Sequence, residues 1–251
     1  MRTTDPSVLI QPNPRRPPIE TRELVAWIAA AGALGLALLF LSLLLARVRE
    51  ARRLRVRAAE AAGLDPLTTL LSRRAVLGVL EAEVARCLRS DASLGVLMMD
   101  FDHLSGLNEE HGRAAGDAVL LEGARRVRNN VRIYDSVGRC GGEEFLVILP
   151  DCPETELNDI AERVRMMIER SPIAWKGQQL RATISIGGLT TAALDEKSAD
   201  RLVRSAEKLL GEAKGLGRNR VRITEPFELT EESSLGLALE TERHPIDDGD
   251  A

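Results

Sequence analysis

The sequence predicts an α+β domain preceded by one transmembrane helix. Apolar residues recur at helical spacing in segments that alternate with short, continuous apolar runs, which is typical of mixed helices and strands. A separate, longer uncharged segment lies near the N-terminus. The chain has 251 residues, of which 44% are apolar, so it can hold one full domain plus appendages.

The uncharged segment at residues 24–46 predicts a membrane anchor. About 20 apolar residues suffice to cross a bilayer as a helix. Dense arginine follows immediately, which is typical of a cytoplasmic flank; these residues are Arg47, Arg49, Arg52, Arg53, Arg55 and Arg57. A buried core helix and a cleavable signal peptide are the alternatives. The arginines argue against the first, and the absence of a small-x-small cleavage site before them argues against the second.

Composition delimits the folded domain. Residues 1–23 are proline-rich without periodicity, which indicates a disordered tail. Residues 47–63 contain strong helix formers and are expected to continue the membrane helix as a stalk. The chain turns acidic at residues 225–251, where we expect a second disordered tail. Residues 64–224 remain as the folded domain.

Elements of both types alternate within residues 64–224. Apolar positions at helical spacing after a Ser cap predict a helix over residues 72–89. The other predicted elements, in chain order, are a buried strand (94–101), a helix (117–129), a hairpin (137–140 and 144–149), an amphipathic helix (154–170), a strand (180–186), a helix (199–214) and a short strand (220–223). The core order is β-α-β-β-α-β, which is the ferredoxin-like plan of a mixed sheet with flanking helices.

The segment RCGGEEF at residues 139–145 is the most informative motif. We expect Gly-Gly to supply the positive φ angles of a tight hairpin and to leave a ligand unobstructed. Glu143 and Glu144 then project from rigid backbone, and Asp100 and Asp102 end another apolar run. Carboxylates at two strand ends are what a divalent cation and a nucleoside triphosphate require. For the motif alone, an ordinary hairpin tip with solvated acids is the alternative.

From residue 64 to 224 the chain resembles the GGDEF family of diguanylate cyclases, with the signature spelled GGEEF. Several motifs occur in the family's order: DPLT at 65–68, DFDH at 100–103, Asn108 followed by Gly-Asp at 116–117, SIG at 185–187 and AKGLGRNR at 213–220. The resemblance implies a palm-like form of the fold. It also implies an enzyme that condenses two GTP into cyclic di-GMP and two pyrophosphates.

The resemblance implies a metal site for Mg²⁺ or Mn²⁺. Its ligands would be Asp100, the backbone carbonyl of Phe101, and Glu143. Glu144 is implied to be essential for catalysis as well. For Asp102, by contrast, we predict a helix cap.

The resemblance also implies the contacts to GTP. Asn108 and Asp117 would read guanine, whose N1–H and amino group can both donate to a carboxylate. An Asp before an apolar helix is also a favoured N-cap, so Asp117 has that alternative role. Lys214 and Arg218 would hold the terminal phosphates. Ser105 stands where the family usually has a phosphate-binding Lys, which predicts slower turnover or weaker GTP binding.

An Arg-x-x-Asp motif precedes the hairpin at the spacing of the family's inhibitory product site. The resemblance therefore implies that Arg132 and Asp135 bind cyclic di-GMP, with Arg163 as a secondary arginine. A guanidinium can grip phosphates or guanine in a bidentate manner. The prediction is product inhibition.

The resemblance implies a homodimer, since each subunit would bind one GTP. The apolar segment and the arginines after it predict a location in the bacterial inner membrane, with the catalytic domain in the cytoplasm. With a net charge of −4 the chain lacks the basic character that nucleic-acid binding requires, so we expect no nucleic-acid partner. Two alternatives remain open, a catalytically weak cyclic di-GMP receptor and a membrane assembly scaffold.

Overall fold

The computed structural model describes residues 21–90, 92–191, 195 and 198–224. The predicted acidic tail at residues 225–251 and most of the predicted N-terminal tail lie outside the described residues. The chain divides into two compact units, Met1–Arg55 and Val56–Ala251.

Helix α1 (Thr21–Ala61) covers both the predicted membrane segment and the predicted stalk. It begins before residue 24, so residues 21–23 are helical rather than part of a tail. Leu24–Ala61 contains an 18-residue window with a mean hydropathy of 2.5, and none of that window is buried. The core helix of a soluble protein, which was the alternative, would bury most of these apolar residues. By length and composition the helix could cross a membrane.

The second unit is built on a six-stranded sheet. Its strands are β1 (Leu71–Ser72), β2 (Leu94–Phe101), β3 (Ser136–Arg139), β4 (Glu144–Pro150), β7 (Ile184–Thr191) and β8 (Val221–Thr224). They lie in the order β1-β3-β4-β2-β7-β8 across the sheet. A separate two-stranded sheet is formed by β5 (Ile173–Trp175) and β6 (Gln178–Leu180). The central strands run β3-β4-β2-β7, which is the ferredoxin-like arrangement and confirms the predicted fold class.

Helices cover both faces of the sheet. One face packs on α2 (Arg73–Ser90) and α6 (Ser198–Gly215), and the other on α3 (Leu104–His111), α4 (Arg113–Asn129) and α5 (Glu154–Arg170). The central strand β2 is buried along all eight residues, and its side chains alternate between the two faces. Met99 and Phe101 join the core beneath α4 and α5, while Val96 and Met98 join the core beneath α2 and α6.

Most predicted elements are present, and two predictions were wrong in detail. The segment predicted as one helix over 117–129 is preceded by helical residues from Leu104, interrupted at Gly112, whose φ is 85°. The strand predicted over 180–186 is instead the end of β6 and the start of β7, which continues to Thr191. In both places the sequence has too few apolar residues at regular spacing to locate the boundary, so tertiary packing decides it.

The contact between β7 and α6 depends on Gly187. A Cβ at this position would overlap the backbone nitrogen of Leu210 and the backbone oxygen of Ala206. Because both obstacles are main-chain atoms of α6, no rotamer change could relieve the overlap. The missing side chain therefore permits the close approach of α6 to the sheet.

We predict that Gly187→Ala lowers the free energy of unfolding by about 2 kcal/mol, since α6 must move away from the sheet. The matched control is Gly78→Ala on α2, where nothing lies within 4 Å of the added Cβ. That change should raise the free energy of unfolding by about 0.5 to 1 kcal/mol, because alanine is the better helix former. Thermal unfolding followed by circular dichroism tests the pair. Equal stability of the two variants would contradict the packing argument.

Candidate active site

The two predicted acidic clusters meet at the end of β2. In the sheet register Asp100 lies opposite Glu144 of β4 and Ser185 of β7. The backbone N–H of Phe101 donates to the carbonyl of Glu143 at 3.3 Å, which fixes that residue beside the strand end. The antiparallel pairing of β2 with β4 therefore brings together residues that are more than 40 positions apart in the chain.

Asp100 lies at the centre of this cluster. Its parity on β2 matches that of Met98, so it faces the α6 side of the sheet, where the Lys214 ammonium lies 2.9 Å from its Oδ1. The residue is only 3% exposed. Burial raises the pKa of Asp100 to about 6; Lys214 acts against this rise, and the charges of Glu143 and Glu144 add to it.

Phe101 occupies the opposite face and is fully buried. Its ring meets Phe145 edge to face, with the ring centroids 5.8 Å apart. It also lies directly beneath Gly123 of α4, where a Cβ would overlap the ring. This packing fixes the backbone of Phe101, whose carbonyl is the predicted main-chain ligand.

The hairpin turn is held by arginines rather than by unusual glycine dihedrals. The prediction that Gly141 and Gly142 adopt positive φ was wrong, since neither belongs to the residues with positive φ. Instead, Arg139 donates to the carbonyl of Gly141 at 3.1 Å and to that of Gly142 at 2.6 Å, and Arg73 donates to the carbonyl of Cys140 at 3.2 Å. The glycines provide space: a Cβ on Gly141 would crowd the Glu144 carboxylate, and nothing lies within 4 Å of one on Gly142.

Arg139 also connects the turn to the DPLT motif. Its guanidinium lies 3.2 Å from Asp65 Oδ1, which accepts hydrogen bonds from the backbone N–H and the hydroxyl of Thr68 as well. Burial acts to raise the pKa of Asp65, but the Thr68 hydrogen bonds and the charge of Arg139 together lower it below its usual value. The sequence gives no sign of this role for Arg139, because no local pattern links residues 74 positions apart.

The predicted guanine-reading residues lie on the neighbouring helices α3 and α4. Asn108 packs against Gly116, where a Cβ would overlap its side-chain amide. The Oδ1 of Asn108 is buried and, among the described residues, has no hydrogen-bond partner. Asp117 is exposed and lies inside α4, which begins at Arg113 with Gly112 as its N-cap. The alternative that Asp117 caps a helix was therefore wrong.

Asp102 does not cap a helix either. The N-cap of α3 is His103, and no side chain caps it. The Asp102 carboxylate accepts hydrogen bonds from the hydroxyls of Thr183 (2.7 Å) and Ser185 (2.6 Å) and from the backbone N–H of Asn219 (3.0 Å). The fold places these donors around the carboxylate: Ser185 lies in β7, Thr183 directly precedes it, and Asn219 lies in the loop after α6. Asp102 therefore binds them rather than the N-terminus of α3.

The predicted phosphate-binding residues lie at and beyond the end of α6. Lys214 is in the last turn of the helix, with 32% of its side chain exposed, and Arg218 is exposed in the following loop. Ser105 is exposed in the first turn of α3. The structure thus brings Lys214 directly to the acidic cluster, whereas it records no contact of the Arg218 side chain with that cluster.

The Arg-x-x-Asp motif lies at the other end of β3 from the Gly-Gly turn. Asp135 Oδ2 accepts from the backbone N–H of Arg132 at 2.6 Å, and burial raises the pKa of Asp135. The Arg132 guanidinium pairs with Glu156 of α5. Arg163 donates to the carbonyl of Asn130 at 2.8 Å, so both arginines border the same loop within one domain. Ile133, which follows Arg132 inside the motif, is 91% exposed.

Comparison with known proteins identifies the family. Residues 62–220 match the model for the diguanylate cyclase GGDEF domain, which is more than half of the chain. The chain belongs to the GGDEF family. Diguanylate cyclase A of Treponema denticola is 39% identical over 132 residues, covering 53% of this chain and 35% of that protein. The response regulator PleD of Caulobacter vibrioides is 38% identical over 164 residues, covering 64% and 36%. The matched region thus spans about a third of these relatives.

Solved structures share the fold. The diguanylate cyclase SiaD of Pseudomonas aeruginosa, in complex with its activator SiaC, superposes with a TM-score of 0.62 at 29% identity, covering 81% of each chain. The GGDEF domain of DgcB from Caulobacter crescentus, in complex with c-di-GMP, superposes with a TM-score of 0.61 at 25% identity, covering 64% of this chain and 93% of that one. The active GGEEF domain of a Vibrio cholerae diguanylate cyclase gives 0.56 at 27% identity, covering 61% and 97%.

The raised pKa of Asp100 leads to a stability prediction. Between the ordinary carboxyl pKa and about 6, the unfolded chain releases this proton before the folded one does, so stability falls as pH rises. Asp100→Asn removes this penalty. Without divalent ions, the variant should exceed the wild type in free energy of unfolding at pH 7 by about 1 to 3 kcal/mol. At pH 4 the difference should nearly vanish.

Thermal unfolding at pH 4 and pH 7 measures this difference. The control is Arg86→Ala, which breaks a surface ion pair with Glu83 on α2 and leaves the acidic cluster untouched. Its midpoint should not separate from that of the wild type across the pH 4 to 6 window in the way that Asp100→Asn does. A variant at Asp100 that is less stable than the wild type at pH 7 would show that ionised Asp100 stabilises the domain.

Proposed function

We propose that this protein is a membrane-anchored diguanylate cyclase that condenses two GTP into cyclic di-GMP and two pyrophosphates. The observation that carries the proposal is the convergence of Asp100, Glu143, Glu144 and Lys214 at the end of β2. It occurs in a GGDEF domain whose relatives include proteins named as diguanylate cyclases. Phosphoryl transfer from a triphosphate needs little beyond charge neutralisation and alignment, which such a cluster can provide.

The residues at the strand end fit a hard divalent cation. The oxygens of Asp100 and Glu143 and the Phe101 carbonyl are the type of ligand that Mg²⁺ or Mn²⁺ prefers. The described residues contain no cluster of three or more His, Cys, Asp or Glu side chains placed to hold an ion, so water and phosphate oxygens would complete the shell. The bound ion would neutralise phosphate charge during the displacement. Glu144, opposite Asp100, would add to the negative potential that attracts it.

Asn108 and Asp117 would select guanine. Among the described residues, the Oδ1 of Asn108 is an unpartnered acceptor buried against Gly116, and a side-chain rotation would bring it to the N–H groups of the guanine edge. The exposed Asp117 carboxylate is free of a capping role and could accept from two guanine donors at once. Adenine presents an acceptor at N1, which a carboxylate would repel.

Lys214 and Arg218 would hold the polyphosphate. Lys214 already neutralises Asp100 at 2.9 Å, and its partial exposure lets it reach a ligand in front of the cluster. Arg218 would supply a second, exposed cation from the loop after α6. Ser105, in place of a cation on α3, lowers the positive charge facing the phosphates, so we expect weak GTP binding or slow turnover.

Activity would require two copies of the chain. Each subunit would bind one GTP, and each 3′-hydroxyl must attack the α-phosphate of the other nucleotide. Helix α1 supports an anchor, with its exposed apolar surface followed by arginines, and confinement to the bacterial inner membrane raises the concentration of partners. The catalytic domain would lie in the cytoplasm.

Arg132 and Asp135 would bind the product at a separate site. They lie at the far end of β3 from the Gly-Gly turn, so occupation there need not compete with GTP. Arg163, which borders the same loop, could join the site from its own or a neighbouring domain. Arg132 would exchange its ion pair with Glu156 for phosphate or guanine oxygens.

The function is tested with the purified full chain, GTP and Mg²⁺, with products identified by mass spectrometry. Wild type should form cyclic di-GMP, and Glu143→Gln should lose at least about 100-fold in turnover, because it removes a ligand charge and leaves the backbone in place. The control is Arg86→Ala, which breaks a surface pair with Glu83. If wild type makes no product but binds cyclic di-GMP, the chain is a receptor and the cyclase proposal is wrong.

Product inhibition is tested by adding cyclic di-GMP to initial-rate assays. Arg132→Ala should leave the initial rate nearly unchanged and abolish inhibition, because the site lies at the far end of β3. Glu156→Ala frees Arg132 from its ion pair and should leave inhibition intact or strengthen it. Equal inhibition of wild type and Arg132→Ala would refute this site.

A further inference from the structure

The loop between α6 and β8 carries Arg218 in a costly backbone conformation. Arg218 and Asn219 have φ angles of 63° and 44°, and the preceding Gly217 has a φ of 116°. For residues with a Cβ, the left-handed region costs roughly 1 kcal/mol each. Two such residues in succession persist only where surrounding contacts hold them.

Asn219 supplies those contacts. Its backbone N–H donates to Asp102 Oδ2 at 3.0 Å. Its side-chain amide donates to Glu169 Oε1 at 2.6 Å and accepts from Arg165 Nη1 at 2.9 Å, both on α5. The hydrogen bond from Asn219, followed by one that Arg165 donates to Glu169 Oε2 at 3.0 Å, lowers the pKa of Glu169 below its usual value. The residue after Arg218 is therefore bound to two separate elements.

Asp102 connects this loop to the metal-ligand end of the site. It is 7% exposed, and Ser185 on β7 donates to its second oxygen, Oδ1, at 2.6 Å. It directly follows Phe101, at the end of β2, which is buried along its whole length. A single buried carboxylate thus joins the end of β2, β7 and the Arg218 loop.

We propose that Asp102 and Asn219 are positioning residues that fix Arg218 relative to Asp100, and so set where the polyphosphate of the substrate is held. The inference rests on the proposed function, because it takes Arg218 as a phosphate-binding residue. Neither positioning residue needs to touch the nucleotide. The exposed Arg218 side chain is long and flexible, so its place depends on the backbone that carries it. A displacement of about 1 Å at such a group can cost up to 100-fold in rate.

Two substitutions at Asn219 separate the side-chain contacts from the backbone conformation. Asn219→Gly keeps access to positive φ but loses the contacts to Arg165 and Glu169, whereas Asn219→Ala loses both. We expect Asn219→Gly in the full chain to bind a non-hydrolysable GTP analogue roughly 10-fold more weakly, and Asn219→Ala to bind it more weakly still, because alanine also disfavours the positive φ. GMP binding should be unchanged, because GMP lacks the terminal phosphates. Titration calorimetry measures both ligands. Equal weakening of GMP and the analogue would indicate general structural damage and overturn the inference.

The chain offers a matched control on α5. Glu162 and Glu169 both pair with Arg165, at 2.8 and 3.0 Å, but only Glu169 contacts Asn219. Glu169→Ala should weaken binding of the GTP analogue, and Glu162→Ala should not. Equal effects of the two variants would overturn the inference.

Arg218→Ala distinguishes failure of this inference from failure of the proposed function. If Arg218→Ala weakens binding of the analogue and Asn219→Gly does not, Arg218 binds phosphate without help from Asn219, and only the positioning role is lost. If Arg218→Ala changes nothing, Arg218 is not a phosphate ligand and the positioning role falls with it. Cyclase activity of the wild type, measured in parallel, shows whether the proposed function still stands.

Discussion

The central strand β2 is the constraint on which the rest of the domain depends. All eight of its residues are buried, and it pairs with β4 on one side and β7 on the other. Burial on both faces fixes the register, because a shift by one residue would move every side chain to the wrong core. That register places Asp100 opposite Glu144 and on the same face as α6. The acidic cluster is therefore a consequence of core packing.

The carboxylates of Asp100, Glu143 and Glu144 lie close together at the end of β2, and the repulsion between these like charges is unfavourable because Asp100 is buried. Lys214 offsets part of the repulsion at Asp100, and the pKa of that carboxyl still rises to about 6. The structure keeps the acids in place through rigid backbone: Arg139 and Arg73 bind the carbonyls of the hairpin turn, and Asp65 holds Arg139. Backbone that is fixed in this way limits the reorganisation that a charged ligand would have to impose, and low reorganisation is how preorganised electrostatics lower a barrier.

The two halves of the candidate site are held in place in different ways. The acidic half is set by strand pairing, which is stiff and cooperative. The half that carries Lys214 and Arg218 follows from α6 and the loop after it, where the backbone at Arg218 and Asn219 has positive φ and is held by contacts from Asp102, Arg165 and Glu169. Motion of α6 relative to the sheet would displace Lys214 and the Arg218 loop, while strand pairing would keep Asp100 and Glu144 in place.

The sequence by itself determined the fold class, most element boundaries and the identities of the acidic residues, because hydrophobic periodicity and motif spacing are local signals. Only the tertiary structure decided two roles that depend on partners distant in the chain: Asp102 binds β7 and Asn219 rather than a helix end, and Arg139 connects the turn to Asp65. It also decided that α4 begins at Arg113, so that Asp117 lies inside the helix. A polar side chain takes whichever partner the fold brings near it, and that partner is set by strand register and helix packing, which no local pattern encodes.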